Sequence, residues 1–96
     1  MTTSEIEIAT RGQVNARRNY LMGLWAGRML GLRERQLSEY VCDVMVSDYQ
    51  EPGPGVVVRK LRRDLADAGM EFSESEVLRQ LRMTEKSVRS ELLATD

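Results

Sequence analysis

The segment from Ala16 to Leu32 constrains the fold of this 96-residue chain more than any other feature. Its apolar residues recur at steps of three and four, which is the period of one buried face on an α-helix. They are Leu21, Leu24, Trp25, Met29 and Leu32. Gly31 then predicts a helix C-terminus, because glycine tolerates the left-handed backbone that often ends a helix. We therefore expect a first helix that is firm from about Gln13 to Leu30, with Trp25 in the core.

Three further segments carry the same amphipathic period. They predict helices from about Glu34 to Asp48, from about Val56 to Ala68, and from Ser73 towards the C-terminus. The residues expected to face inward are Leu37, Val41, Val44 and Met45 in the second helix; Val58, Leu61, Leu65 and Ala68 in the third; and Leu78, Leu81, Val88 and Leu92 in the fourth, with Tyr40 on the flank of the second. The run Val56-Val57-Val58 could also form a strand, but the chain offers it no evident partner strand.

Local signals mark where these helices begin and end. Ser73 followed by Glu76 forms a capping box, and Phe72 just before it can pack against Val77. Gly69 is placed to end the third helix. Between the second and third helices, the run Pro52-Gly53-Pro54-Gly55 removes backbone donors and predicts a true break.

Together these segments predict an all-α fold, a four-helix bundle-like single domain with a weakly ordered N-terminal lead-in. Residues 1–15 form the predicted lead-in, since Thr10 and Gly12 are poor helix formers, and residues 16–96 form the predicted four-helix domain. Gly23 and Gly27 lie four apart in the first helix, which favours close packing of a second helix.

Composition excludes several classes of function. The chain has no histidine and a single cysteine, Cys42, so it lacks the commonest general base and the residues of a zinc site. We expect no catalytic residues, no metal and no cofactor, and we expect Cys42 to be buried or half-buried. No apolar run approaches the roughly 20 residues of a transmembrane helix, which predicts no membrane insertion and a cytoplasmic location.

Basic residues form the candidate binding surface. The third helix contributes Arg59, Lys60, Arg62 and Arg63, and the fourth contributes Arg79, Arg82 and Arg89, with Lys86 between them. One interpretation is a solvated face neutralised by Asp64, Asp67 and Glu85. The other is a positive stripe that binds a phosphate-bearing ligand or an acidic protein surface. Nucleic acid is disfavoured, because the net charge is −1 and there is no aromatic stacking platform.

Asp48 and Glu51 are unusually placed, at the predicted C-terminus of the second helix, where the helix dipole disfavours negative charge. We expect them to contact Arg17, Arg18 or Arg59, or else to lie near the N-terminus of the third helix. Arg17 and Arg18 are further candidates for contact with a partner.

Several of these segments together resemble a known family. They are Arg17-Arg18-Asn19, Gly23-Leu24-Trp25-Ala26, Leu30-Gly31-Leu32, Asp48 to Gly53, and Val58 to Leu65, with a looser match from Phe72 to Leu81. In this order and spacing they resemble the zeta-subunit family of bacterial F-type ATP synthase inhibitors, small helical proteins long described as having unknown function. The resemblance covers about residues 16–96.

The resemblance implies a four-helical fold and a non-enzymatic regulatory protein that binds the catalytic head of an F-type ATP synthase. In the zeta subunit a longer, highly charged N-terminal segment acts as an inhibitory helix. Here only fifteen residues precede Ala16, so we expect docking to be retained and strong inhibition to be absent. The alternative is a small helical module that binds an adenine-nucleotide-like anion weakly.

Overall fold

The computed structural model describes residues 3–50 and 53–94. Those residues form four α-helices: α1 (Thr3–Met29), α2 (Glu34–Gln50), α3 (Pro54–Asp67) and α4 (Glu74–Ala94). No strand occurs in either range, and Val56-Val57-Val58 lies inside α3. The predicted all-α, four-helix fold is therefore confirmed, and the strand alternative is wrong.

Helix α1 is the central element, because it packs against each of the other three helices. Helices α2 and α4 lie on opposite sides of the pair formed by α1 and α3, and each of them packs against both members of that pair. The molecule measures 47 × 28 × 25 Å, and its long dimension is set by α1, whose 27 residues span about 40 Å. Because α1 packs against α4, the first and last helices of the chain are direct neighbours.

Glycine ends α1 and α3 in the same way. After α1, Gly31 has a φ of 80°, and the N–H of Leu32 donates to the carbonyl of Gly27 at 2.9 Å. After α3, Gly69 has a φ of 85°, and the N–H of Met70 donates to the carbonyl of Leu65 at 2.9 Å. Both are Schellman motifs, in which a left-handed residue lets the chain satisfy the last free carbonyls of the helix. The two glycine predictions are confirmed.

The two later helices begin at recognisable caps. Helix α3 starts at Pro54, two residues before its predicted start, because proline at the first helical position loses no hydrogen bond and already has a helical φ. At the start of α4, the N–H of Glu76 donates to the Ser73 hydroxyl at 3.1 Å, and that hydroxyl lies 3.2 Å from the Glu76 carboxylate. The predicted Ser73 cap is confirmed.

The apolar core is built from small and medium side chains of all four helices. Its fully or almost fully buried members are Met22, Ala26, Val44, Val57, Val58, Leu61, Leu65, Val77 and Leu81. In the second to fourth helices, four residues predicted to face inward are instead exposed: Met45, Ala68, Leu78 and Leu92. Met45 and Leu78 lie at the edges of their apolar faces, whereas Ala68 and Leu92 lie at or near helix ends, where neighbouring helices no longer cover them.

The buried face of α1 is rotated from the predicted one. Met22 and Ala26 are fully buried, whereas Met29 is exposed and Leu21 and Leu24 are only half-buried. The reason is the glycine pair. A Cβ at Gly23 would lie 3.2 Å from the Val41 backbone Cα, so α2 approaches α1 more closely than larger side chains permit. The predicted close packing at the glycines is confirmed, and it turns their face of α1 inward.

Trp25 lies at the edge of the core. Its side chain is half-buried and packs against the core, with its ring edge-on to Phe72 at 5.7 Å between centroids. An edge-to-face arrangement is a favoured geometry for aromatic pairs. The prediction of a core contact is confirmed, but the burial of Trp25 is only partial.

Residues 11–13 of α1 receive little support from the bundle. The helix begins at Thr3, ahead of the predicted firm start at about Gln13. However, Arg11, Gly12 and Gln13 are all exposed, and Val14 is the first buried residue in the stretch 11–29. A Cβ added at Gly12 would meet nothing within 4 Å. Residues 11–13 therefore extend beyond the packed part of the bundle, as expected for a lead-in.

Candidate functional site

The candidate arginines of α3 lie on its outer face. Arg59, Arg62 and Arg63 are exposed, and no ion pair involves them within residues 3–50 and 53–94. Lys60 differs from these three. It is half-buried, and its ammonium lies 3.1 Å from the Asp64 carboxylate. Three of the four predicted basic residues of α3 thus present a free positive charge to solvent.

Arg59 and Arg62 also line two shallow grooves between α3 and the start of α4. The first groove, of about 190 Å³, places Arg59 beside Glu74. The second, of about 410 Å³, places Arg62 beside Glu71 and Glu76. Both grooves therefore combine an arginine with at least one carboxylate. A mixed-charge groove is a poor site for an anion, because the carboxylates repel it.

The candidate arginines of α4 follow one side of that helix. Arg79, Arg82 and Arg89 are exposed, together with Lys86. Two of them share a partner: Arg82 lies 3.3 Å from one Glu85 carboxylate oxygen, and Arg89 lies 3.4 Å from the other. The interpretation that Asp64 and Glu85 are partners of the basic face is confirmed for Lys60, Arg82 and Arg89, although Arg82 and Arg89 share one carboxylate.

A buried charge cluster joins α4 to α1. The Arg18 guanidinium donates to the Glu85 carboxylate at 3.0 Å, and the two residues are only 3% and 8% exposed. Arg18 also donates to the side-chain oxygens of Asn19 at 3.0 Å and Asn15 at 3.3 Å. No buried side-chain nitrogen or oxygen in the described part of the chain lacks a hydrogen-bond partner. The cluster therefore satisfies the requirement that a buried charge be paired and hydrogen-bonded.

The chain is similar in sequence to a known family of proteins. A sequence model of the family described as ATPase inhibitor subunit zeta matches residues 7–91, which is most of the chain. The chain belongs to this family. No curated protein and no solved structure gives a significant match. The match begins nine residues before Ala16, so it takes in part of the predicted lead-in.

The motif Arg17-Arg18-Asn19, on which the resemblance to the zeta family partly rests, has two different environments. Arg18 and Asn19 are buried in the charge cluster, whereas Arg17 is exposed and its guanidinium lies 5.4 Å from the centre of the Tyr20 ring. Of the two helix-one candidates, Arg17 is thus the one accessible to a partner. Arg18 lies inside the bundle, where its charge holds α1 against α4.

Asp48 is stabilised by the next helix rather than by an arginine. Its carboxylate accepts a hydrogen bond from the backbone N–H of Gly53 at 3.3 Å, and Gly53 is the N-cap residue of α3. No ion pair within the described residues involves Asp48. Of the two alternatives given for these carboxylates, the location near the start of the third helix is confirmed for Asp48. Glu51 lies outside the described residues.

A second polar contact, between α2 and α3, was not predicted from the sequence. The Tyr40 hydroxyl donates to the Asp64 carboxylate at 2.8 Å, and the Lys60 ammonium lies 5.5 Å from the centre of the Tyr40 ring. Desolvation by burial, together with the hydrogen bond to Asp64, raises the pKa of Tyr40 far above that of a free tyrosine. The i, i+4 spacing of Lys60 and Asp64 in the sequence indicates that these two residues can pair. Nothing in the spacing indicates that Tyr40 of α2 contacts them.

This contact predicts a distinctive alkaline titration. Because its pKa is raised in the folded state, neutral Tyr40 stabilises the fold below pH 10, its unfolded pKa, and that stabilisation is lost at higher pH. One tyrosine should therefore ionise only when the protein unfolds, as followed by the ultraviolet absorbance of tyrosinate. Tyr40→Phe should remove this late step and lower the free energy of unfolding by about 1 kcal/mol. Tyr20→Phe, the control, should keep the late step; if it removes the step, the assignment is wrong.

Three further findings concern the cysteine, metal binding and membrane crossing in this zeta-family chain. Cys42 is exposed on α2, so the expectation that it is buried is wrong; residue 42 lies on the side of α2 turned away from Val41 and Val44. Among the described residues, no group of three potential ligands could hold a metal ion. No helix in the described part of the chain combines the length and apolar character needed to cross a membrane.

Proposed function

We propose that this chain is a non-catalytic regulatory protein that binds the catalytic head of a bacterial F-type ATP synthase in the cytoplasm. The observation that carries the proposal is the family match over residues 7–91. The exposed basic residues supply a physical means of binding, since complementary charge speeds association and selects the partner. The contact residues we propose are Arg17, Arg59, Lys60, Arg62, Arg63, Arg79, Arg82 and Arg89.

The alternative of nucleotide binding has no comparable support. The two grooves that contain Arg59 and Arg62 also contain Glu71, Glu74 or Glu76, which oppose a phosphate. A protein surface tolerates such mixed charge better than a nucleotide does, because its own acidic and basic groups can be arranged to match. We therefore favour a protein partner.

Salt dependence tests whether binding uses the basic surface. Purified catalytic head should bind the chain at low ionic strength, and the affinity should fall at least about tenfold as salt is raised. The reason is that the Debye length shortens from about 8 Å at 0.15 M to about 3 Å at 1 M, which screens exposed charges. Calorimetric titration at three salt concentrations measures this change. An affinity that does not vary with salt would indicate an apolar interface, and no binding at any salt concentration would refute the proposed function.

We further propose that binding leaves ATP hydrolysis largely uninhibited. Inhibition of a rotary motor needs a rigid element, but Arg11 to Gln13 lack support from the bundle, and Gly12 costs a helix about 1 kcal/mol relative to alanine. The chain in excess should therefore leave most of the hydrolysis activity of its cognate enzyme. Gly12→Ala should raise both the helicity of α1 and the inhibition of ATP hydrolysis. Ser87→Ala, at an exposed position of α4, should change neither. Potent inhibition by the unsubstituted chain would contradict the proposal.

A further inference from the structure

On the surface of α4, the side chains of two arginines converge on the carboxylate of one glutamate. Arg82 and Arg89 approach opposite oxygens of the Glu85 carboxylate, at 3.3 and 3.4 Å. Glu85 is already bound from the interior by Arg18 at 3.0 Å. Three guanidinium groups therefore surround one carboxylate, which leaves two positive charges uncompensated within the cluster. We call Arg82, Glu85 and Arg89 the arginine clamp.

The clamp arginines remain available for a further bond. Their side chains are 56% and 57% exposed, whereas that of Glu85 is 11% exposed. Each guanidinium has five N–H donors, and the single contact with Glu85 leaves most of them facing solvent. A new anion can therefore bind Arg82 and Arg89 without disturbing the buried pair of Arg18 and Glu85.

We infer that the arginine clamp is a docking site for carboxylates on an acidic segment of a partner protein. This inference rests on the proposed function, because it locates the contact of a protein that binds another protein. Glu85 holds both arginines in place before binding, so less conformational entropy is lost when a partner carboxylate arrives. The clamp also has a positive excess, whereas the grooves at Arg59 and Arg62 contain opposing carboxylates. Exposed Lys86, one residue after Glu85, adds a further positive charge.

Binding to the catalytic head provides the first test. Arg82→Gln/Arg89→Gln removes the clamp but keeps the buried pair, so the fold should survive, as thermal unfolding followed by circular dichroism can verify. This variant should bind the head roughly 30-fold more weakly, because it loses the two guanidinium groups that donate to the partner's carboxylates. Arg33→Gln/Arg35→Gln removes the same charge from exposed positions at the start of α2 and should change the affinity by less than about threefold. Equal losses in the two variants would overturn the inference.

A second test does not depend on the identity of the partner. Titration with a hexaglutamate peptide, followed by nuclear magnetic resonance of the arginine Nε–H groups, should shift Arg82 and Arg89 more than Arg33 and Arg35. Equal shifts at all four, or equal shifts with inorganic phosphate at the same concentration, would overturn the assignment to an acidic protein segment. If the unsubstituted chain does not bind the catalytic head, the proposed function fails, and the peptide titration alone decides whether the clamp exists.

Discussion

Glu85→Leu is expected to lower the free energy of unfolding by roughly 3–5 kcal/mol. The substitution leaves the Arg18 guanidinium, only 3% exposed, without its anionic partner, and the two neighbouring asparagines cannot replace that charge. A small domain has a total stability of about 5–15 kcal/mol, so this one change removes a large part of it. Urea denaturation followed by circular dichroism measures the effect.

Two controls separate the buried charge from simple loss of contacts. Arg18→Met/Glu85→Leu removes both charges and should recover most of the lost stability, because apolar residues of similar volume often replace a buried ion pair without cost. Arg82→Gln removes only an exposed partner of Glu85 and should cost less than about 1 kcal/mol. If the double variant is as unstable as Glu85→Leu, an uncompensated Arg18 is not the cause.

Leu61→Ala is expected to have the second large effect, lowering the free energy of unfolding by about 2–5 kcal/mol. Leu61 is fully buried in the core cluster, so its removal forfeits both the transfer of its side chain from water and the contacts around the resulting cavity. Leu78→Ala makes the same chemical change at a position that is 38% exposed on α4. Leu78→Ala should therefore lower the free energy of unfolding by less than about half as much as Leu61→Ala. Equal losses in urea denaturation would show that the core is not centred on Leu61.

The helix ends could be predicted because their causes are local. Gly31, Gly69 and Ser73 each act on backbone groups within five residues, so the residues that form the cap are adjacent in the sequence. Apolar spacing likewise predicted four helices and most of the core positions. It did not predict the orientation of α1, because Gly23 and Gly27 add nothing to an apolar pattern although they decide how closely α2 approaches.

The charge cluster could not be predicted from spacing alone. Arg18 and Glu85 are 67 residues apart, and a charged residue is usually exposed. A weak signal nevertheless exists, because Arg18 continues the four-residue step of Val14, Met22 and Ala26 on the buried face of α1. Among the candidate site residues, Arg59, Arg62 and Arg63 are exposed on α3, as the apolar spacing of that helix indicates for positions off its buried face. The spacing did not reveal that Arg82 and Arg89 are held by the same carboxylate.

The bond between Arg18 and Glu85 also has a consequence for the rates of folding and unfolding. Neighbouring helices can pair after closing short loops, whereas a contact across 67 residues must close most of the chain and carries a larger entropic cost. A contact of this kind is expected to be weakly formed in the transition state, with a low φ-value. Glu85→Leu should then accelerate unfolding far more than it slows refolding. The junction of the first and last helices would thus govern how long the native molecule persists, more than how quickly it forms.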